Sequence, residues 1–188
     1  TVIAVRRGQR IEPLQVYSEK STTETAGLTK RTAEDYDTRT IKVDAIGIGC
    51  GVADRLEEEG FDNVGVNVAE HSGDPERFFN LRSELWWNLR DRLDPDVTRN
   101  PDPIALPPDD ELLAELAAVK YKLTGRGQVQ IEPKADMKKR LGHSPDRADA
   151  VVLALAPHDR GGFALSGGST ISSGLFEKNE IGGGFSWR

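Results

Sequence analysis

The chain has 188 residues, 31 acidic against 25 basic, a formal net charge of −6 and a single cysteine, Cys50. That length suits one domain with a core of its own, and the lone thiol excludes a disulfide framework and points to a reducing compartment. No apolar run is long enough to cross a membrane, no signal-peptide pattern opens the chain, and the acidic balance does not announce a nucleic-acid binder.

In chain order, Thr1 to Val5 reads as a strand that turns through Arg7 to Arg10 into a second over Ile11 to Tyr17. A chain that opens inside a sheet predicts that the fold starts upstream, with the first strand truncated. Thr22 to Asp35 reads as a helix with Ala26, Leu28 and Ala33 inward. Ile41 to Ile46 is a β-rich apolar run broken by Asp44, and it leads into Gly47, Gly49 and Gly51. A helix from Val52 to Glu59 follows, closed by Gly60. Strand, glycine-rich turn and helix are the parts of a phosphate cradle, yet neither Gly-x-Gly-x-x-Gly nor the Walker lysine pattern is present. Any ATPase therefore belongs to another domain.

Asn63 to Val68 is a further short strand. Asp74-Pro75 is predicted to open a long helix to Leu93, with Phe78, Phe79, Leu81, Leu85, Trp86 and Leu89 near helical spacing. Trp86 and Trp87 could stack on bases, but within that stripe they read as core and helix cover. A proline-rich connection, Asn100 to Pro108, precedes a helix over Pro108 to Ala118. Val119 to Leu123 and Gln128 to Glu132 pair as a hairpin around the basic tip Thr124-Gly-Arg-Gly127. Lys134 to Leu141 is a short basic helix. Ser144 then reads as an N-cap, with Pro145 at the first position of a helix that continues through Val151 to Ala156. Glycine and serine dominate beyond Pro157, which divides the chain into a domain over 1–156 and a flexible tail over 157–188.

Two acidic features stand out. Asp146 and Asp149 are three apart at a helix start, so they share a face, as acids that hold a divalent cation often do. They also fit plain helix punctuation, complementing the dipole. Asp44 lies in a strand whose neighbours are apolar, where a charge costs several kcal/mol unless it is paired or metal-bound. The alternative is an aspartate at the strand end that caps the following turn. Between Lys120 and Arg147 eight Lys or Arg face three acids, a local excess of five positive charges. Such a patch can neutralise phosphates, or it can be a solvated amphipathic surface. The three histidines, at 71, 143 and 158, are scattered and give no zinc spacing.

The element order is that of a mixed α/β layer fold, and four blocks carry a more specific resemblance. They are Val43 to Leu56, Phe79 to Trp87, Ile131 to Arg140 and Ser144 to Ala150. In this order they resemble the nuclease domain of bacteriophage large terminase subunits, over Thr1 to about Ala156. The resemblance implies an RNase H-like mixed sheet flanked by helices. It also implies a metal-dependent DNA endonuclease that cuts concatemeric viral DNA by two-metal phosphodiester hydrolysis with Mg²⁺ or Mn²⁺. Asp44 matches the family's second acid and Asp149 its third, with Asp146 assisting one turn earlier. The family's first acid falls upstream of Thr1, so the chain as given is expected to cut poorly. Lys134, Lys138, Lys139, Arg140 and Arg126 are expected to border the cleft and hold the DNA backbone. The implied partners are double-stranded DNA, an upstream ATPase domain, a portal and a small terminase subunit, in the host cytoplasm. A non-catalytic DNA-binding or motor-assembly module is the rival reading, and an RNase H-like resolvase a third.

Overall fold

The structure is a computed structural model that describes residues 1–38, 40–46, 49–96 and 102–157. The expected 157–188 tail lies, after its first residue, outside the described residues. Local signals build most elements. Helix α1, Thr22–Asp35, starts at a capping box in which Ser21 Oγ accepts the Glu24 amide while Glu24 accepts the Ser21 amide. The opening hairpin is interrupted: β1 (Val2–Ile3) pairs antiparallel with β4 (Gln15–Val16), and β2 (Arg6–Arg7) with β3 (Arg10–Ile11). Gly8 at its tip takes φ +59, a conformation that glycine adopts without strain.

Strand β5, Thr40–Asp44, lies parallel to β6, Asp62–Val66, joined by α2, Gly49–Glu58. Its alternation divides two environments. Ile41 and Val43 pack with Ala26, Ala33, Val52, Leu56 and Phe61 in a small cluster beside α1 and α2. Lys42 and Asp44 lie on the other face, where Lys42 Nζ donates to the Ala156 carbonyl. Burial, with a smaller contribution from Arg6, lowers the Lys42 pKa.

The larger core gathers α3 (Leu81–Arg92), α4 (Asp110–Ala118), β8 (Val129–Ile131) and α6 (Asp146–Ala154) around Leu85, Trp86, Leu89, Leu112 and Val151. The hairpin of β7 (Tyr121–Leu123) and β8 and the basic helix α5 (Lys134–Leu141) form as expected. Among the described residues the strands pair two by two, so the continuous mixed sheet expected from the resemblance is not drawn by them.

Helix α2 begins at Gly49, three residues before the expected Val52, and two further helix starts are corrected. The helix predicted from Asp74 begins at Leu81, capped by Asn80, whose Oδ1 accepts the Ser83 amide at 3.0 Å. Ahead of it Phe78 bridges to Val129 and the Phe79 amide bonds the Val129 carbonyl, so this stretch belongs to the β8 edge. Ser144 provides no side-chain cap for α6, whose N-cap position is Pro145. Glu115, thirty-three residues upstream, supplies the acceptor, with its Oε2 2.8 Å from the Ala148 amide. Among the described residues, no helix is long and apolar enough to cross a membrane.

Candidate active site

Asp44 is the last residue of β5. Its Oδ1 accepts the Ile46 amide at 3.1 Å, so it caps the turn, and it also lines a cleft. The turn-capping alternative is thus what the structure shows, at a residue that also faces the cleft. The backbone here is closed from behind by Gly49 at the start of α2. A Cβ at that position would stand 1.7 Å from the Asp44 carbonyl oxygen, so only glycine lets the helix approach the strand this closely.

Asp149 lies in the first turns of α6 and lines the same cleft, a space of about 290 Å³ walled by Val68, Arg82, Trp86, Lys134, Val152 and Leu153 as well. Its side chain is 14% exposed, and its carboxylate carries a different cation on each oxygen. Arg82 Nη1 donates to Oδ1 at 2.9 Å, and Lys134 Nζ stands 2.8 Å from Oδ2. Burial works against the Lys134 ammonium, but Asp149, Asp146 and Asp44 outweigh it and raise its pKa above the ordinary 10.5. One ammonium thus feels carboxylates from β5 and from α6, elements more than a hundred residues apart in sequence.

The remaining expected residues divide. Asp146 is 53% exposed and reaches the site only through Lys134, at 3.8 Å. Lys138, Lys139, Arg140 and Arg126 do not line the cleft. Arg140, on the surface, is committed to Glu132 and to the Ala118 carbonyl, and Lys139 stands 3.9 Å from Asp136. His143 Nδ1 faces the Ser144 carbonyl and lies 3.8 Å from Glu115, away from the cleft residues.

Sequence reasoning missed Arg82. The block Asn80 to Trp87 is a clamp in which each polar side chain serves a different neighbour. Asn80 caps α3, Arg82 reaches Asp149, Ser83 Oγ accepts the Ile131 amide of β8 at 3.2 Å, and Glu84 accepts from Ser72 and Gly73. The signal was present. Arg82 precedes Leu85, Trp86 and Leu89 by three, four and seven, so a charge sits on the buried stripe of the helix.

The two carboxylates offer hard oxygen donors, which suit Mg²⁺ or Mn²⁺ better than softer metals. The ammonium beside them shows that the cleft accommodates positive charge. Among the described residues no group of three His, Cys, Asp or Glu gathers in metal-holding geometry.

No protein-family model and no curated protein matches the chain. Solved structures do. The nuclease domain of the large terminase subunit gp2 of bacterial virus Sf6 aligns with a TM-score of 0.71 at 21% identity, over 82% of this chain and 80% of that one. A variant of it with manganese aligns equally well, over 82% of its chain. The large terminase nuclease from thermophilic phage G20c with bound magnesium gives a TM-score of 0.54 at 21% identity, over 78% of this chain and 67% of that one. The chain thus has the fold of the nuclease domain of phage large terminase subunits.

Proposed function

We propose that this chain is the divalent-metal-dependent DNA endonuclease domain of a viral genome-packaging terminase, built on an RNase H-like plan over residues 1–156. The observation that carries the reading is the convergence of Asp44 and Asp149 on one cleft with the Lys134 ammonium under the field of both. Asp149 holds the ammonium directly at 2.8 Å, Asp146 stands 3.8 Å away and Asp44 acts on it through its field, so the cleft already stabilises a cation. The similarity to nuclease domains solved with manganese and with magnesium supports Mn²⁺ or Mg²⁺ as the cofactor.

Asp44 and Asp149 would hold the metal, with Asp146 assisting from the exposed side. The chemistry such cations supply when bound is activation of water and stabilisation of the leaving oxygen in phosphodiester hydrolysis. The chain's own residues set the conditions. Trp86, Val68, Val152 and Leu153 give the cleft an apolar wall, which strengthens electrostatic contacts inside it. Lys134, half-exposed beside Asp149, would offer its charge to the DNA backbone once a metal held that carboxylate. Lys138, Lys139 and Arg126 extend the basic surface beyond the cleft, whereas Arg140 is tied to Glu132. Double-stranded DNA is the substrate, with an ATPase domain of the same terminase, a portal and a small terminase subunit as partners in the host cytoplasm.

The test is Mn²⁺ uptake by the 188-residue chain, read by isothermal titration. Asp44→Asn and Asp149→Asn are each expected to weaken it at least about tenfold, the scale of losing or misdirecting a ligand, while cooperative melting persists. Unchanged uptake in Asp149→Asn would remove the metal site from this cleft. The second reading, a DNA-binding or assembly module without catalysis, has one observation in its favour: no third ligand gathers with these two acids among the described residues. DNA binding without Mn²⁺ uptake would establish it.

A further inference from the structure

The two cations on Asp149 are not equivalent, and the difference assigns a role to Arg82. The Arg82 side chain is 10% exposed and its guanidinium lies over the Trp86 ring, 5.3 Å from the ring centre. A guanidinium cannot lose its charge at any pH a folded protein meets. It is therefore a fixed cation. Lys134 is 44% exposed on a flexible four-carbon stem, so it can leave.

The geometry of the fixed contact is unusual for its type. Arginine and carboxylate commonly meet through two parallel hydrogen bonds that occupy both oxygens. Arg82 uses Nη1 alone, on Oδ1 alone, and its Nε and Nη2 stay buried with no partner among the described residues. Buried donors left unmade are costly, and functional sites are where such groups persist. The consequence falls on the other oxygen. Asp149 Oδ2 is buried, and the partner beside it is the Lys134 ammonium at 2.8 Å. One oxygen is locked by the protein, and the other is covered only by a group that can swing away.

We propose that Arg82 is the positioning residue of the metal site: it locks Asp149 Oδ1, and thereby presents Oδ2 as the oxygen that exchanges the Lys134 ammonium for a divalent cation. This rests on the metal-nuclease reading given above. It makes a prediction that charge alone does not. If the two cations merely repelled the metal, removing either would tighten binding. If Arg82 positions Asp149, the two removals have opposite signs.

The experiment is Mn²⁺ affinity, from the free-ion resonance signal, in the full chain and its Arg82→Gln, Arg82→Lys and Lys134→Gln variants, each with a melting curve. Lys134→Gln should bind Mn²⁺ at least about threefold more tightly, because a competing charge a few ångströms away is gone. Arg82→Gln should bind about tenfold more weakly, the usual scale for a lost orienting partner. Arg82→Lys, which keeps charge and most of the length, should recover part of the loss. If folded Arg82→Gln and Arg82→Lys bind Mn²⁺ as tightly as the unaltered chain, or more tightly, the positioning role is overturned while the metal site stands. If Arg82→Gln does not fold, Arg82→Lys alone decides: affinity at or above that of the unaltered chain refutes the role. If the unaltered chain takes up no Mn²⁺, or Asp149→Asn binds it equally well, the metal-nuclease reading falls and Arg82 with it.

Discussion

The two acids of the cleft are held by opposite strategies. Asp149 sits on the larger core and is positioned by side chains from far along the sequence. Arg82 of α3 and Lys134 of α5 reach its oxygens, and Glu115 of α4 caps the helix that carries it. Asp44 sits at the edge of the smaller cluster and is positioned by its own backbone. The Ile46 amide holds one oxygen, and Gly49 lets α2 close on the Asp44 carbonyl. One acid is fixed by long-range polar contacts and the other by local chain geometry. A cleft built this way fails in two distinct modes, through the core on one side and through a turn on the other.

The largest expected effect is on the core side. Trp86 is buried in the large cluster, forms a wall of the cleft and stacks under Arg82. Trp86→Ala is expected to cost about 3–5 kcal/mol, read as a shift in the denaturant midpoint. It should loosen Arg82 and so weaken Mn²⁺ binding in the molecules that remain folded. A loss below about 1 kcal/mol would show that the ring is a cover for the cleft and not a support.

Gly49→Ala breaks the other side. Because the new methyl would collide with backbone and not with a pliable side chain, β5 and α2 must separate, at about 1–3 kcal/mol. Mn²⁺ binding should be lost out of proportion to stability, since the displaced atoms belong to Asp44 itself. Should Mn²⁺ affinity survive while the melting temperature falls, Asp44 does not depend on this junction.

This asymmetry explains what the sequence disclosed. Elements with local signals were legible: α1 and α5 begin and end where spacing placed them, and the hairpin turns at Gly127, with φ +80. Asp44 announced itself as a charge in an apolar strand. Asp146 and Asp149 announced themselves as a pair, but which of them enters the cleft depends on rotation of α6 against α3, which spacing does not encode. Arg82 to Asp149 and Glu115 to Ala148 are contacts across 67 and 33 residues. Such contacts leave only a faint mark in sequence, a charged residue on an apolar stripe. The start of α3 moved from Asp74 to Asn80 for the same reason, because a strand fifty residues later claims Phe78.

Glu115 sharpens the comparison at intermediate size. Its carboxyl is buried, and burial is the main cause of a pKa above the ordinary 4.5, opposed by the Ala148 amide and His143. The native state therefore holds a proton that the unfolded chain releases near 4.5. The Glu115 contribution to stability is full below that value and declines as pH rises through the raised pKa. Glu115→Gln keeps an acceptor for Ala148 and should flatten that decline in a series of melts from pH 4 upward, an expectation from the general linkage rule. Glu115→Ala leaves the amide unpaired and should cost about 1–3 kcal/mol at low pH and less as pH rises. An identical pH profile in Glu115→Gln would place the titration elsewhere.

The smallest expected effect on stability separates the basic residues that serve the fold from those free to serve a ligand. Arg140 is tied to Glu132 and the Ala118 carbonyl, whereas among the described residues no hydrogen bond engages the Lys138 side chain and Lys139 has only a long, exposed ion pair. Lys138→Ala and Lys139→Ala should each change stability by less than about 0.5 kcal/mol. If they face phosphates, each should lower the slope of log affinity for duplex DNA against log salt by about 1, equally for all sequences. Arg140→Ala should instead cost stability and leave the salt slope nearly unchanged, because its charge is already spent on a carboxylate. The opposite pattern, a slope change in Arg140→Ala and none in the two lysine variants, would move the DNA path from the exposed face of α5 to the junction of α5 with β8.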